Sequence, residues 1–127
     1  MDKNSNSINW FEIAVTNLGR AKKFYETIFS IQMPADTMMN MKMVLFPSEP
    51  GSGKATGCLL EGGLHKPSTD GVMLYLNANP DLSPVLGRIT AAGGKILVPK
   101  TQISPEIGYM AVFEDTEGNR LSLHSQK

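Results

Sequence analysis

The chain has 127 residues, enough for one compact domain or for two small modules sharing a sheet. Hydrophobic residues make up 41% and charged ones 19%, which excludes a disordered chain, and twelve basic side chains cancel twelve acidic ones, which excludes a broad attraction to nucleic acid or anionic lipid. Cys58 is the single cysteine, so there is neither an intrachain disulfide nor a thiolate metal cluster; with no apolar leader in MDKNSNS and no run long enough to span a bilayer, the expected location is the cytoplasm.

From Ile8 the chain alternates, with Phe11, Ile13 and Val15 on one parity and Trp10, Glu12 and Ala14 on the other, which predicts a first strand. Thr16 or Asn17 caps a helix in which Leu18, Ala21, Phe24, Tyr25 and Ile28 recur at helical spacing through Phe29, with Lys22, Lys23 and Glu26 facing water. Met33 to Ala35 and Met39 to Phe46 read as strands. Six of the eight methionines lie between Met33 and Met73; most are core filler, and those sharing a face would form a deformable apolar lining. Ser48 to Lys54, SEPGSGK, is a turn or loop that lacks the glycine spacing and final Ser/Thr of a phosphate loop. Ala55 to Leu60 supplies another short strand, and Glu61 to Gly71 is linker-like in its Gly, Pro and polar content.

The order then restarts. Val72, Leu74 and Leu76 alternate with Met73, Tyr75 and Asn77, and Asp81 or Ser83 caps a helix carrying Val85, Leu86, Ile89 and Ala92, with Pro84 in its first turn. Gly93 and Gly94 stop it, and Lys95 to Val98 is a strand before Pro99. Gly108 to His124 is a hairpin: two alternating runs flank Thr116 to Asn119, where Gly118 can take positive φ. Setting Val15 against Ala78 and Leu18 against Leu82 aligns the halves. An α+β chain of two βαβββ modules follows, roughly 7–61 and 71–125, joined by 62–70.

Three stretches, NWFEIAVTNLGRAKKFYETIF, YLNANPDLSPVLGRITAAGGKIL and GYMAVFEDTEGNRLSLH, resemble the vicinal oxygen chelate superfamily of glyoxalase I, bleomycin-resistance proteins, fosfomycin-resistance enzymes and extradiol dioxygenases. The likeness runs from Asn9 to His124 and is nearest the glyoxalase-like branch related to lactoylglutathione lyase. It implies a cupped, mostly antiparallel eight-stranded sheet, a site in the cavity and a homodimer. The metal enzymes of the family hold a divalent ion through residues whose positions fall here on Trp10, Met73, Ser122, and Cys58 or Leu60. Tryptophan offers no ligand atom and the methionine thioether is soft, so neither a metal nor another cofactor is expected.

Within that frame Glu12 points into the cup from an otherwise apolar strand. Two readings stay open for it: a general base whose pKa burial would raise, or a structural carboxylate bonded to Tyr75, Asn77 or a backbone amide. The expected ligand contacts are Trp10, Met43, Met73, Tyr75, Asn77, Ser122 and His124, with Met41 and Phe24 extending the apolar lining. His124, near the C-terminus, reads more simply as solvent-facing, and His65 as a surface residue or one over the cavity mouth. Cys58 has no visible activating partner. The functional expectation is a small-molecule binding protein with a cavity floored by Trp10 and Met73. The alternative is a glyoxalase-like lyase or isomerase in which Glu12 abstracts a proton α to a carbonyl.

Overall fold

A computed structural model describes residues 1–127. In chain order the elements are β1 (Trp10–Val15), α1 (Leu18–Phe29), β2 (Ala35–Met38), β3 (Met41–Leu45), β4 (Thr56–Glu61), β5 (Tyr75–Asn77), α2 (Ser83–Ile89), β6 (Lys95–Ser104), β7 (Gly108–Glu114) and β8 (Arg120–Ser125). Each half is therefore βαβββ. The strands form two four-stranded sheets, ordered β1-β4-β3-β2 and β5-β8-β7-β6, with no strand pairing between them. In each, the module's first strand lies parallel to its last and the remaining pairs are antiparallel.

Helix α1 begins where the Asn17 side chain accepts the Arg20 amide, and it ends at Ser30, whose left-handed backbone (φ 54°) returns its N–H to the Glu26 carbonyl. Its apolar stripe, Ala21, Phe24, Tyr25 and Ile28, is buried. That stripe meets Ile13, Val15 and Leu59 of the first sheet and, from the second module, Leu76, Ala78, Val85, Ile89, Phe113 and Leu123, in one cluster of 18 buried residues. Val15 and Ala78, equivalent by the internal repeat, both lie in it. Phe24 sits 5.0 Å from Tyr25 and 6.2 Å from Phe113, ring centre to ring centre. It is core rather than ligand lining, because its helical spacing aims it between the modules. The helix-bearing faces of both sheets thus share one interior, and their other faces look away from it.

A polar clamp crosses the same boundary. Glu117, in the β7–β8 turn, accepts from the Thr16 hydroxyl and from the amides of Thr16 and Asn17, while Arg20 Nε donates to its other oxygen at 2.7 Å. Burial alone would raise the pKa of this carboxyl; the hydrogen bonds from Arg20, Asn17, Thr116 and Thr16 outweigh burial and hold it at about 2. Alongside, the Tyr25 hydroxyl donates to Asp115 at 2.7 Å and the Asn119 side-chain amide donates to the Ala14 carbonyl at 2.8 Å.

Boundaries moved where turn chemistry was faint. Met39 and Asn40 both take positive φ (52° and 61°) and reverse the chain between β2 and β3, so the expected strand from Met39 starts two residues later. Val72 and Met73 precede β5 instead of joining it, and Ala92 lies beyond the seven residues of α2. Strand β6 runs through Pro99 to Ser104, which an edge position with register shifts allows, since a proline removes a ladder donor. Glu26 turns back to accept the Met33 amide at 2.8 Å.

Because the folded pKa of Glu117 lies below its ordinary value of 4.5, the clamp's ionic contribution is complete above about pH 4.5 and is lost as pH falls toward 2. Half the Arg20 side chain is exposed, and after allowance for solvent screening Glu117→Gln should cost about 2 kcal/mol at pH 7. Chemical denaturation of both proteins between pH 7 and pH 2 checks this: the gap should close over the acid range.

Candidate functional site

The outer face of the first sheet follows from strand register. Glu12 lies opposite Cys58, Leu45 opposite Cys58, Met43 opposite Leu60, and Met38 opposite Met41. Since side chains alternate, Trp10, Glu12, Met41, Met43, Cys58 and Leu60 share that face. Met43, Cys58 and Leu60 form a small buried cluster, with Met41 and Leu45 packed on it. Trp10 is 39% exposed and Glu12 is exposed. The burial expected of Glu12 is absent in the single chain, and no hydrogen bond joins it to Tyr75 or Asn77.

On the second sheet Tyr75 lies opposite Ser122, Asn77 opposite His124, Met110 opposite His124 and Val112 opposite Ser122. Tyr75 is 52% exposed, and Asn77 accepts the Asn79 amide through its side-chain oxygen. His124 is not a frayed solvent-facing residue: it is half-buried, and its Nε2 lies 2.7 Å from the Ile107 carbonyl. A carbonyl can only accept, so Nε2 carries the proton. Ser122 is fully buried, and its hydroxyl has no partner within the chain. The expected ligand contacts therefore fall into two groups, one on each outer face, with the shared core behind both.

Two cavities open along the module boundary, and neither is floored by Trp10 or Met73. The larger, about 760 Å³, is walled by Phe11, Phe29, Phe46 and Leu74 and reached by Tyr75 and Asn77. The smaller, about 270 Å³, brings Glu12 together with His65, Lys66, Asp70 and Arg120. Lys66 and Arg120 escaped the sequence reading because one lies in the linker and the other at a strand start; only the fold makes them neighbours of Glu12. Trp10 and Met73 miss these cavities for local reasons. Trp10 projects from the outer face of an edge strand, and Met73 lies outside β5 altogether. The SEPGSGK loop leads into strand β4, not into a helix N-terminus, so it has no dipole to cradle a phosphate.

The donor set does not fit the metal of the resembling enzymes. Indole, thioether and a buried hydroxyl stand at three of the positions, with Cys58 or Leu60 at the fourth, and no three His, Cys, Asp or Glu side chains converge anywhere in the chain. Glu12 and His124, the carboxylate and imidazole of the outer faces, lie on different sheets of the chain.

A sequence model of the Glyoxalase/Bleomycin resistance protein/Dioxygenase superfamily matches residues 7–123. A "Glyoxylase-like domain-containing protein" from Didymella fabae is 30% identical over 115 residues, covering 88% of each chain. Among solved structures, a glyoxalase/bleomycin resistance protein from Albidiferax ferrireducens T118 superposes with a TM-score of 0.70 at 18% identity, over 96% of this chain and all of that one. The V278E mutant of glyoxalase I from Zea mays superposes with a TM-score of 0.71 at 18% identity, over 93% of this chain and 45% of its own. At these identities the two structures speak for the fold alone. No helix of the chain is long and apolar enough to cross a membrane.

Burial first, and then the charge of Glu12, push the Cys58 thiol up to about 11. The thiolate is the reactive form, so at pH 7.5 the native protein should react with a disulfide reagent at least about a hundredfold more slowly than a free thiol. One full equivalent should appear in denaturant. Stopped-flow titration with and without guanidinium measures both.

Proposed function

We propose that this chain, which belongs to the glyoxalase/bleomycin resistance protein/dioxygenase superfamily, is a metal-independent small-molecule binding protein whose ligand lies on the outer sheet faces. The reading rests on one observation: the positions that hold a hard cation in the resembling enzymes carry here an indole, a thioether and an unpartnered hydroxyl, and the carboxylate of Glu12 and the imidazole of His124 stand on different sheets. Such groups suit a flat or apolar molecule with one or two polar atoms. A lyase or isomerase acting through Glu12 has less support, because no cluster of three His, Cys, Asp or Glu side chains stands beside it to hold the cation that would stabilise an enediolate.

A second copy completes the site. In one chain Trp10 and Glu12 occupy one outer face and Tyr75, Asn77, Ser122 and His124 the other, so they cannot enclose a common ligand. Strands β1 and β5 are sheet edges, each carrying an exposed aromatic residue, Trp10 or Tyr75. Setting β1 of one protomer beside β5 of its partner would join the sheets into an eight-stranded cup holding both groups.

Two measurements test this. Sedimentation equilibrium should give a dimer at micromolar concentration, and Trp10→Arg should shift it toward folded monomer; a native protein that stays monomeric at 100 times that concentration overturns the shared site. Elemental analysis of the purified protein should find well under one transition-metal ion per chain. A full equivalent that disappears in Glu12→Gln overturns the metal-independent reading.

A further inference from the structure

The larger cavity lies mostly behind the outer faces and meets them at Tyr75 and Asn77. Its wall is Phe11, Phe29, Ile31, Phe46, Leu74 and Leu76, all packed against or within the shared core, so it opens on the helix-bearing side where the modules meet. Of the expected ligand contacts Tyr75 and Asn77 reach it, whereas Trp10, Ser122 and His124, like Glu12, do not. We propose that this inter-module cavity is a second binding site, for an uncharged aromatic molecule of roughly two or three rings.

Size and lining carry the assignment. A volume of about 760 Å³ falls within the range of roughly 300 to 1,000 Å³ that small-molecule sites occupy. The rings of Phe11 and Phe46 stand 5.4 Å apart at 51°, both half-buried, whereas Phe24 and Phe113 deeper in the core are fully packed. An aromatic guest would supply the contacts that these half-covered rings lack. Phe11 is held in place by its neighbour on β4: a methyl group on Gly57 would overlap the Phe11 carbonyl oxygen and come within 2.5 Å of its ring.

Charge at the rim selects a neutral guest. Lys54 and Glu49 are the only ionic side chains there, they carry opposite signs, and neither forms an ion pair. The Asn77 side-chain oxygen is taken by the Asn79 amide, which leaves its NH₂ group to donate to a carbonyl or ring nitrogen on the guest's edge. The chain's own first residues do not fill the space. Ile8 reaches the lining and Asn6 donates to the Gly53 carbonyl at 2.6 Å, and the stated volume is what remains with this segment in place.

Fluorescence titration of the full chain with N-phenyl-1-naphthylamine, a neutral naphthalene dye, tests the site. Expected are saturable binding of one dye per chain and about fivefold weaker binding of its sulfonated analogue, since a buried unpaired charge costs binding energy. Ala55 lines the cavity from an exposed loop position, so Ala55→Trp should lower dye affinity about tenfold or more by occupying the space, with an unchanged thermal midpoint. Ile103→Ser, which removes an exposed apolar residue from the distant strand β6, should leave binding intact. Four outcomes overturn the proposal: no saturable binding, unchanged affinity in a folded Ala55→Trp, loss of binding in Ile103→Ser, or tighter binding of the sulfonate. So does exclusion of the dye at concentrations where the protein is dimeric, which would make the cavity a seat for partner side chains. Each result can arise whether or not the outer faces bind a ligand, because the dye site and the dimer are read separately.

Discussion

One carboxylate joins the two halves of this protein. Glu117 belongs to the last hairpin, yet its oxygens are occupied by the residues that lead into α1 in the other module, among them the amide of the N-cap Asn17, which a helix start would otherwise leave unsatisfied. The β7–β8 turn of one module therefore caps the first helix of the other. With Tyr25 bonded to Asp115 and Asn119 to the Ala14 carbonyl, the angle between modules is set by directional bonds as well as by hydrophobic contact. Rigid docking on the helix-bearing side decides which faces remain for function: the outer surfaces of both sheets and the seam between them.

The repeat, the helices and the hairpin were legible because each rests on a local rule. Period-two alternation marked Phe11, Ile13 and Val15 as one face; helical spacing marked Ala21, Phe24, Tyr25 and Ile28; a cluster of turn formers marked the reversal around Gly118, which takes φ 89°. The turn at Met39-Asn40 was hidden, because a methionine with positive φ carries no sequence mark and asparagine alone is a faint one. Strand β6 was cut short at Pro99 for the opposite reason, since a rule that holds inside a sheet relaxes at its edge.

Which candidate residues share a sheet face was legible, but how the faces are arranged was not. Parity correctly set Trp10 with Glu12 and Tyr75 with Asn77, yet no local pattern says whether two modules docked helix side to helix side turn their other faces toward each other or apart. Here they turn apart. The roles expected of Phe24 and His124 were misjudged through the same gap: which half of a helix stripe meets the second module, and which terminal residue finds a carbonyl, are tertiary facts. The charged cleft holding Glu12, Lys66 and Arg120 is of this kind as well, assembled from strand β1, the linker and the start of β8, far apart in sequence.

Strand β6 carries a further consequence. Its ten residues expose Ile96, Leu97, Val98 and Ile103 along a free sheet margin, a combination that invites runaway stacking of chains. Pro99 interrupts the row of donors, and the register slips on either side of it twist the backbone away from a flat ribbon. At the opposite margin of the other sheet, β2 offers only four residues. Fibre-like growth is thus blunted at both far borders, and in the proposed dimer association through β1 and β5 would close reciprocally at two copies, with no end left to extend.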